Sequence, residues 1–145
     1  MLSSSDDLEC YCGMPASEQQ SYIMLIDSQP ELGRQLAAIL DDTSVAVVTT
    51  TDWRRALDLA VGGKIQLMVC DIELPGNGAE ELLSEIRKNH PRLLPWVLFS
   101  RSLMSRHDAR FLRPLEKREI LDKPFKNDQA EKILLRRLNR VRHIA

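Results

Sequence analysis

Short apolar runs alternate with amphipathic stretches from Tyr22 onward. Tyr22-Ile23-Met24-Leu25-Ile26 is continuous, the pattern of a strand buried on both faces, and it stops at Asp27-Ser28. Ser28 followed by Glu31 forms a capping-box signature, after which Leu32, Leu36, Ile39 and Leu40 recur at helical spacing. The β-branched run Val45-Ala46-Val47-Val48-Thr49-Thr50 predicts a second strand. Thr51 or Asp52 can then cap a helix bearing Trp53, Ala56, Leu57 and Ala60, which ends at Gly62-Gly63. A third strand is predicted from Ile65 to Cys70, running into Asp71. The turn-rich Leu74-Pro75-Gly76-Asn77-Gly78 leads to a helix with Leu82, Leu83 and Ile86 on one face. Pro91 closes that region, and Trp96-Val97-Leu98-Phe99 predicts a fourth strand ending at Ser100. A basic stretch from Ser102 to Arg113 reads as a further helix, terminated by Pro114. Ile120-Leu121 is a short fifth strand, and the last helix carries Ala130, Ile133, Leu134, Leu138 and Val141.

Five strands alternating with five helices predict an α/β fold, a doubly wound five-stranded parallel sheet with right-handed crossovers. In such sheets the reactive site lies outside the carboxyl ends of the strands, near the point where strand order reverses.

Residues 1–20 break the pattern. They carry Asp6, Asp7, Glu9 and Glu18 with no Lys or Arg and show no apolar period, so they read as a flexible acidic arm ahead of a domain at residues 21–145. Composition narrows the classes further. A chain of 145 residues with 43% hydrophobic and 28% charged residues fits one globular domain. Twenty Lys+Arg against 21 Asp+Glu leave a net charge of -1, so no global field draws the protein to nucleic acid or anionic lipid. The longest apolar runs fall short of the roughly 18 to 20 residues a membrane span needs. The N-terminus lacks the order of a secretory signal, which predicts a cytoplasmic protein with no membrane association. The 3 Cys then read as free thiols, and Cys10-x-Cys12 has no second ligand pair to make a zinc site. His90, His107 and His143 show no metal-ligand spacing.

The strand ends carry the candidate chemistry. Asp27 follows the first strand, Asp71 the third and Ser100 the fourth, and Lys123 follows the fifth. Two converging carboxylates repel, and a divalent cation bound by oxygens is the usual relief. A hydroxyl and an ammonium beside them supply a hydrogen-bond donor and a positive charge for phosphoryl oxygens. The constellation reads as a carboxylate that accepts a phosphoryl group with Mg²⁺ assistance.

On the motifs Tyr22 to Asp27, Asp71-Ile72-Glu73-Leu74-Pro75-Gly76, Leu98-Phe99-Ser100 and Asp122-Lys123-Pro124-Phe125, residues 21 to 141 resemble the receiver domains of two-component response regulators. The resemblance implies a flavodoxin-like (βα)5 fold. It implies that Asp71 takes a phosphoryl group from a sensor histidine kinase or phosphotransfer protein, acting as a switch and not as an enzyme. Asp27 would help hold Mg²⁺, Ser100 would bond a phosphoryl oxygen and Lys123 would contact the acyl phosphate. The main-chain carbonyl of Glu73 would be a further metal ligand beside Asp71, and Lys123-Pro124 would be cis.

The chain departs from the family at three places. Where the family has two adjacent acids, Asp27 is followed by Ser28, a poor ligand for a hard cation, so Mg²⁺ binding is expected to be weak unless Glu73 lends its carboxylate. Ile120 stands where the family often has an aromatic switch residue, and Gly78 lies one position early. These departures keep alive a phosphorylation-independent pseudo-receiver that acts as a binding module. The sequence reads first as a stand-alone receiver, with the N-terminal receiver of a longer regulator as another alternative. From Lys126 to Ala145 six Lys and Arg stand against Asp128 and Glu131, a balance of +4. That basic end offers either a solvated face or a surface, from the fourth helix to the fifth, for a downstream protein or dimer mate. With no helix-turn-helix following, direct nucleic-acid binding is disfavoured.

Overall fold

In the computed structural model the residues described are 9–11, 21–29, 31–41, 43, 45–102 and 120–144. The predicted helix from Ser102 to Arg113 lies almost wholly outside them.

Six strands form one sheet: β1 (Glu9–Tyr11), β2 (Ser21–Ile26), β3 (Val45–Thr50), β4 (Leu67–Asp71), β5 (Val97–Ser102) and β6 (Leu121–Lys123), in the order β1-β3-β2-β4-β5-β6. The five from β2 to β6 are mutually parallel, as the alternation of strands and helices requires. Between them run α1 (Glu31–Ile39), α2 (Trp53–Val61) and α3 (Gly78–Asn89), and α4 (Asn127–Ile144) follows β6.

Each buried strand feeds two cores. Along β2 and β4, Met24, Ile26, Met68 and Cys70 join Ala56, Leu57, Leu82, Leu83 and Ile86 of α2 and α3. The alternate residues Ile23, Leu25, Leu67 and Val69 join Leu32, Leu36, Ile133 and Leu134 of α1 and α4. The strict alternation explains why these strands are apolar throughout: both faces are covered. Fully burying one such side chain contributes about 1.5 to 3 kcal/mol.

The local signals resolve unevenly. Asp52 caps α2, its Oδ1 accepting from the N–H groups of Arg54 at 3.0 Å and Arg55 at 3.3 Å, and Gly62 closes the helix. The capping box at Ser28 is not where α1 begins. The helix starts at Glu31, and the turn before it is closed by Asp27, whose Oδ1 accepts from the Gln29 N–H at 2.9 Å. This Asx turn closes the strand end ahead of the helix. Strand β4 starts at Leu67, later than Ile65, and reaches Asp71.

The arm also differs from its expectation at one point. Glu9–Tyr11 pair antiparallel with β3, Glu9 opposite Thr49 and Tyr11 opposite Val47. The pairing draws on backbone donors and acceptors at an open sheet edge, so it needs no apolar period to announce it.

Candidate functional site

Strand order reverses at β2, whose neighbours are β3 and β4. Chains leaving β2 and β4 diverge there, which opens a crevice at their carboxyl ends. Asp27 directly follows β2 and Asp71 is the last residue of β4. Asp71 lies in register with Ser100 of β5, and Lys123 ends β6. All four sequence-derived residues therefore reach one edge of the sheet. Asp27, Asp71, Ser100 and Lys123 are all buried there.

Lys123 ties the two acids together. Its Nζ donates to Asp27 Oδ2 at 3.0 Å and pairs with Asp71 Oδ1 at 3.2 Å. Burial opposes the ammonium, but its hydrogen bond to Asp27 and the charges of both acids outweigh it and raise the Lys123 pKa. Asp27 is also raised, chiefly by burial and further by the Asp71 charge, against the lowering effect of its bonds to Lys123 and Gln29. The peptide bond from Lys123 to Pro124 is cis.

The two oxygens of Asp71 are unequal. Oδ1 faces Lys123 and accepts from the Glu73 N–H at 3.1 Å. Among the described residues no donor is bonded to Oδ2. Ser100 Oγ is fully buried and has no hydrogen-bond partner, so a donor stands ready at this edge. An unsatisfied buried hydroxyl costs about 1 to 3 kcal/mol and calls for an explanation.

Glu73 contributes its backbone here, and its side chain is exposed. Among the described residues no three His, Cys, Asp or Glu side chains group as a metal site, so the acids are a pair. Two carboxylates facing one ammonium leave one negative charge in excess. The donor set is all oxygen, which fits a hard divalent cation. Asp27 and Asp71 are the side chains that would hold it.

Sequence reasoning passed over Thr50. It is buried, its carbonyl accepts the Asp27 N–H at 3.1 Å, and its hydroxyl accepts the Asp52 N–H at 3.0 Å. It thereby fixes the Asp27 backbone and the cap of α2 together. A polar residue ending a β-branched run was the available signal. Cys70, fully buried beside Asp71, has its thiol pushed well above the usual value, first by burial and then by the neighbouring carboxylates, so it stays protonated and unreactive. Arg137, counted with the basic face, turns inward instead, and its Nη1 donates to the Pro95 carbonyl at 2.7 Å.

The fold has counterparts among known proteins. The family model of the response regulator receiver domain matches residues 23–135, and the chain belongs to that family. A response regulator receiver domain protein from Clostridium thermocellum superposes with a TM-score of 0.67 at 18% identity, over 86% of this chain and 99% of that one. The signal receiver domain of an HD domain-containing protein from Pseudomonas fluorescens gives 0.65 at 18% identity, over 90% and 96%. NtrX from Brucella abortus gives 0.61 at 25% identity, over 86% of this chain but 27% of its own length. The sequence matches no curated protein. The five-stranded parallel receiver fold is therefore established, and with it a place in two-component signalling. Receiver domains are signalling switches that interact with histidine kinases or phosphotransfer proteins and bind Mg²⁺ at the phosphorylation site. No helix among the described residues is long and apolar enough to cross a membrane.

Proposed function

We propose that Asp71 is the phosphoacceptor of a response regulator that signals by protein-protein contact. The observation that carries this reading is the unequal pair of Asp71 oxygens beside the unpartnered Ser100 hydroxyl. A lone pair on Asp71 Oδ2 attacks the phosphorus of a phosphohistidine. The new P–O bond forms as the P–N bond breaks, and the departing imidazole nitrogen takes a proton from water. Ser100 donates its hydroxyl proton to a phosphoryl oxygen, and the Lys123 ammonium pairs with the acyl phosphate. Water later attacks phosphorus and restores the carboxylate. Bound Mg²⁺ supplies charge neutralisation for the phosphoryl oxygens. With Ser28 in place of a second acid, that binding is weak.

The test is incubation with Mg²⁺ and acetyl phosphate, read by intact mass. The wild type gains one phosphoryl group, and neither Asp71→Ala nor the wild type with chelator does. No gain, while another receiver in the same tube is modified, overturns the switch reading. A gain that survives Asp71→Ala overturns the assignment of the residue.

A second reading rests on Lys123. Because its ammonium already faces both carboxylates, half of the site's negative charge is offset without any metal ion, which favours a phosphorylation-independent pseudo-receiver. The same mass experiment separates the two. In either case the exposed basic residues at and just before α4, Lys126, Lys132 and Arg136 among them, form the face offered to a partner.

A further inference from the structure

A second concave site lies at the other end of the sheet. Gly63 precedes the start of β4 and Trp96 directly precedes β5, whereas Asp71 and Ser100 lie toward the carboxyl ends of those strands. Between the end of α2 and the 3-10 segment Pro91–Trp96 opens a cavity of about 500 Å³. That size is within the roughly 300 to 1,000 Å³ of small-molecule sites.

Its walls are apolar, supplied by Val61, Leu93, Pro95 and Trp96. Val61 is 51% exposed, the exposed large hydrophobic side chain of the described residues, and it sits at this opening. Such an exposure costs free energy unless something covers it. Among the described residues the polar side chains on the lining are His90 and Arg92, and none is a carboxylate. Arg92 is exposed and carries a permanent charge, so its guanidinium is free of the desolvation that would penalise a fully enclosed cation. An apolar body thus meets Val61 and Trp96 while an anionic head meets Arg92. A neutral apolar ligand would leave the cation unused, and a cationic one would be repelled.

We propose that this cavity binds an apolar carboxylate, an aliphatic or aromatic acid of small-molecule size, with Arg92 as the carboxylate anchor and Trp96 and Val61 as the apolar contacts. The site is independent of the chemistry at Asp71. The proposal goes beyond the phosphoacceptor reading and stands whether or not that reading does.

Isothermal titration of the full chain with decanoate, decanol and decylammonium tests it. Decanoate is expected to saturate at one site and decylammonium to bind at least about threefold more weakly, as opposite signs of charge at an exposed anchor dictate. Arg92→Gln is expected to weaken decanoate about threefold to tenfold and to leave decanol unchanged. Val61→Glu, at an exposed position, is expected to abolish decanoate binding without lowering the melting temperature. Equal binding of the carboxylate and the ammonium overturns the proposal, as does decanoate binding insensitive to both substitutions. Sedimentation velocity adds a further arm. A concentration-dependent dimer of the wild type that Val61→Glu dissolves would assign the cavity to a second copy of the chain and overturn the small-molecule reading.

Discussion

Lys123 Nζ lies 3.0 Å from Asp27 Oδ2, although 96 positions separate the two residues in the chain. The same ammonium reaches Asp71 at 3.2 Å, so one cation from β6 joins the ends of β2 and β4. Removing it leaves two buried carboxylates facing each other. Lys123→Met is expected to destabilise the protein by about 3 kcal/mol at neutral pH, the scale for breaking a buried ion pair. Chemical denaturation measures this, and added Mg²⁺ should recover part of the loss.

The pH dependence follows from two raised pKa values. Lys123 holds its proton more tightly when folded, so its contribution is complete below the usual lysine value of 10.5 and is lost as pH rises through the higher folded value. Asp27 also holds its proton more tightly when folded. Stability therefore falls as pH rises from its usual 3.8 through the raised folded value. Unfolding free energies measured against pH should show both descents. The alkaline one should disappear in Lys123→Met and the acidic one in Asp27→Asn.

Ser100→Ala should move stability and chemistry in opposite directions. The substitution removes a buried hydroxyl without a partner, and is expected to stabilise the unphosphorylated protein by about 1 kcal/mol. It also removes a donor to the phosphoryl group, slowing uptake from acetyl phosphate by about tenfold to a hundredfold. A melting curve and a phosphorylation time course on the same sample check the pair of signs.

Ser28→Asp should raise Mg²⁺ affinity by about tenfold, because it adds a third carboxylate to a two-carboxylate site. Glu73→Gln separates the two ways Glu73 could serve. If its carboxylate helps hold the ion, affinity drops, and an unchanged titration restricts Glu73 to its backbone.

Gly78 is packed where a Cβ would lie 3.1 Å from Leu74 Cβ and 3.2 Å from Trp53 Cδ1. Gly78→Ala is expected to cost about 1 to 2 kcal/mol through this crowding, despite the better helix propensity of alanine. Denaturant midpoints decide the sign.

The parallel strands and the four converging side chains were legible because both rest on strong local signals. A strand covered on both faces must be apolar throughout, and the polar residue that ends it, such as Asp27 or Asp71, marks the edge where backbone leaves the sheet. The cap of α2 was legible at Asp52 for the same reason. The start of α1 was not, because the Asp27 carboxylate closes a turn on the Gln29 N–H and the helix begins only at Glu31, beyond the Ser28 signature. Thr50 escaped notice because its hydroxyl bond to Asp52 is an ordinary local turn contact, and its link to Asp27 exists only once the fold brings β2 beside β3. Arg137 looked like surface charge until α4 docked against the segment that ends at Trp96.

The antiparallel strand Glu9–Tyr11 reverses the usual link between position in the chain and order of assembly. It has nothing to pair with until β3 is in place, and its partners lie some forty positions downstream, so the residues synthesised early must wait for later ones before they join the sheet. Three residues at an open edge, held by one neighbouring strand, also leave it readily. The amides of Glu9–Tyr11 should exchange with solvent through local opening, long before those of β2 and β4 report on unfolding of the whole.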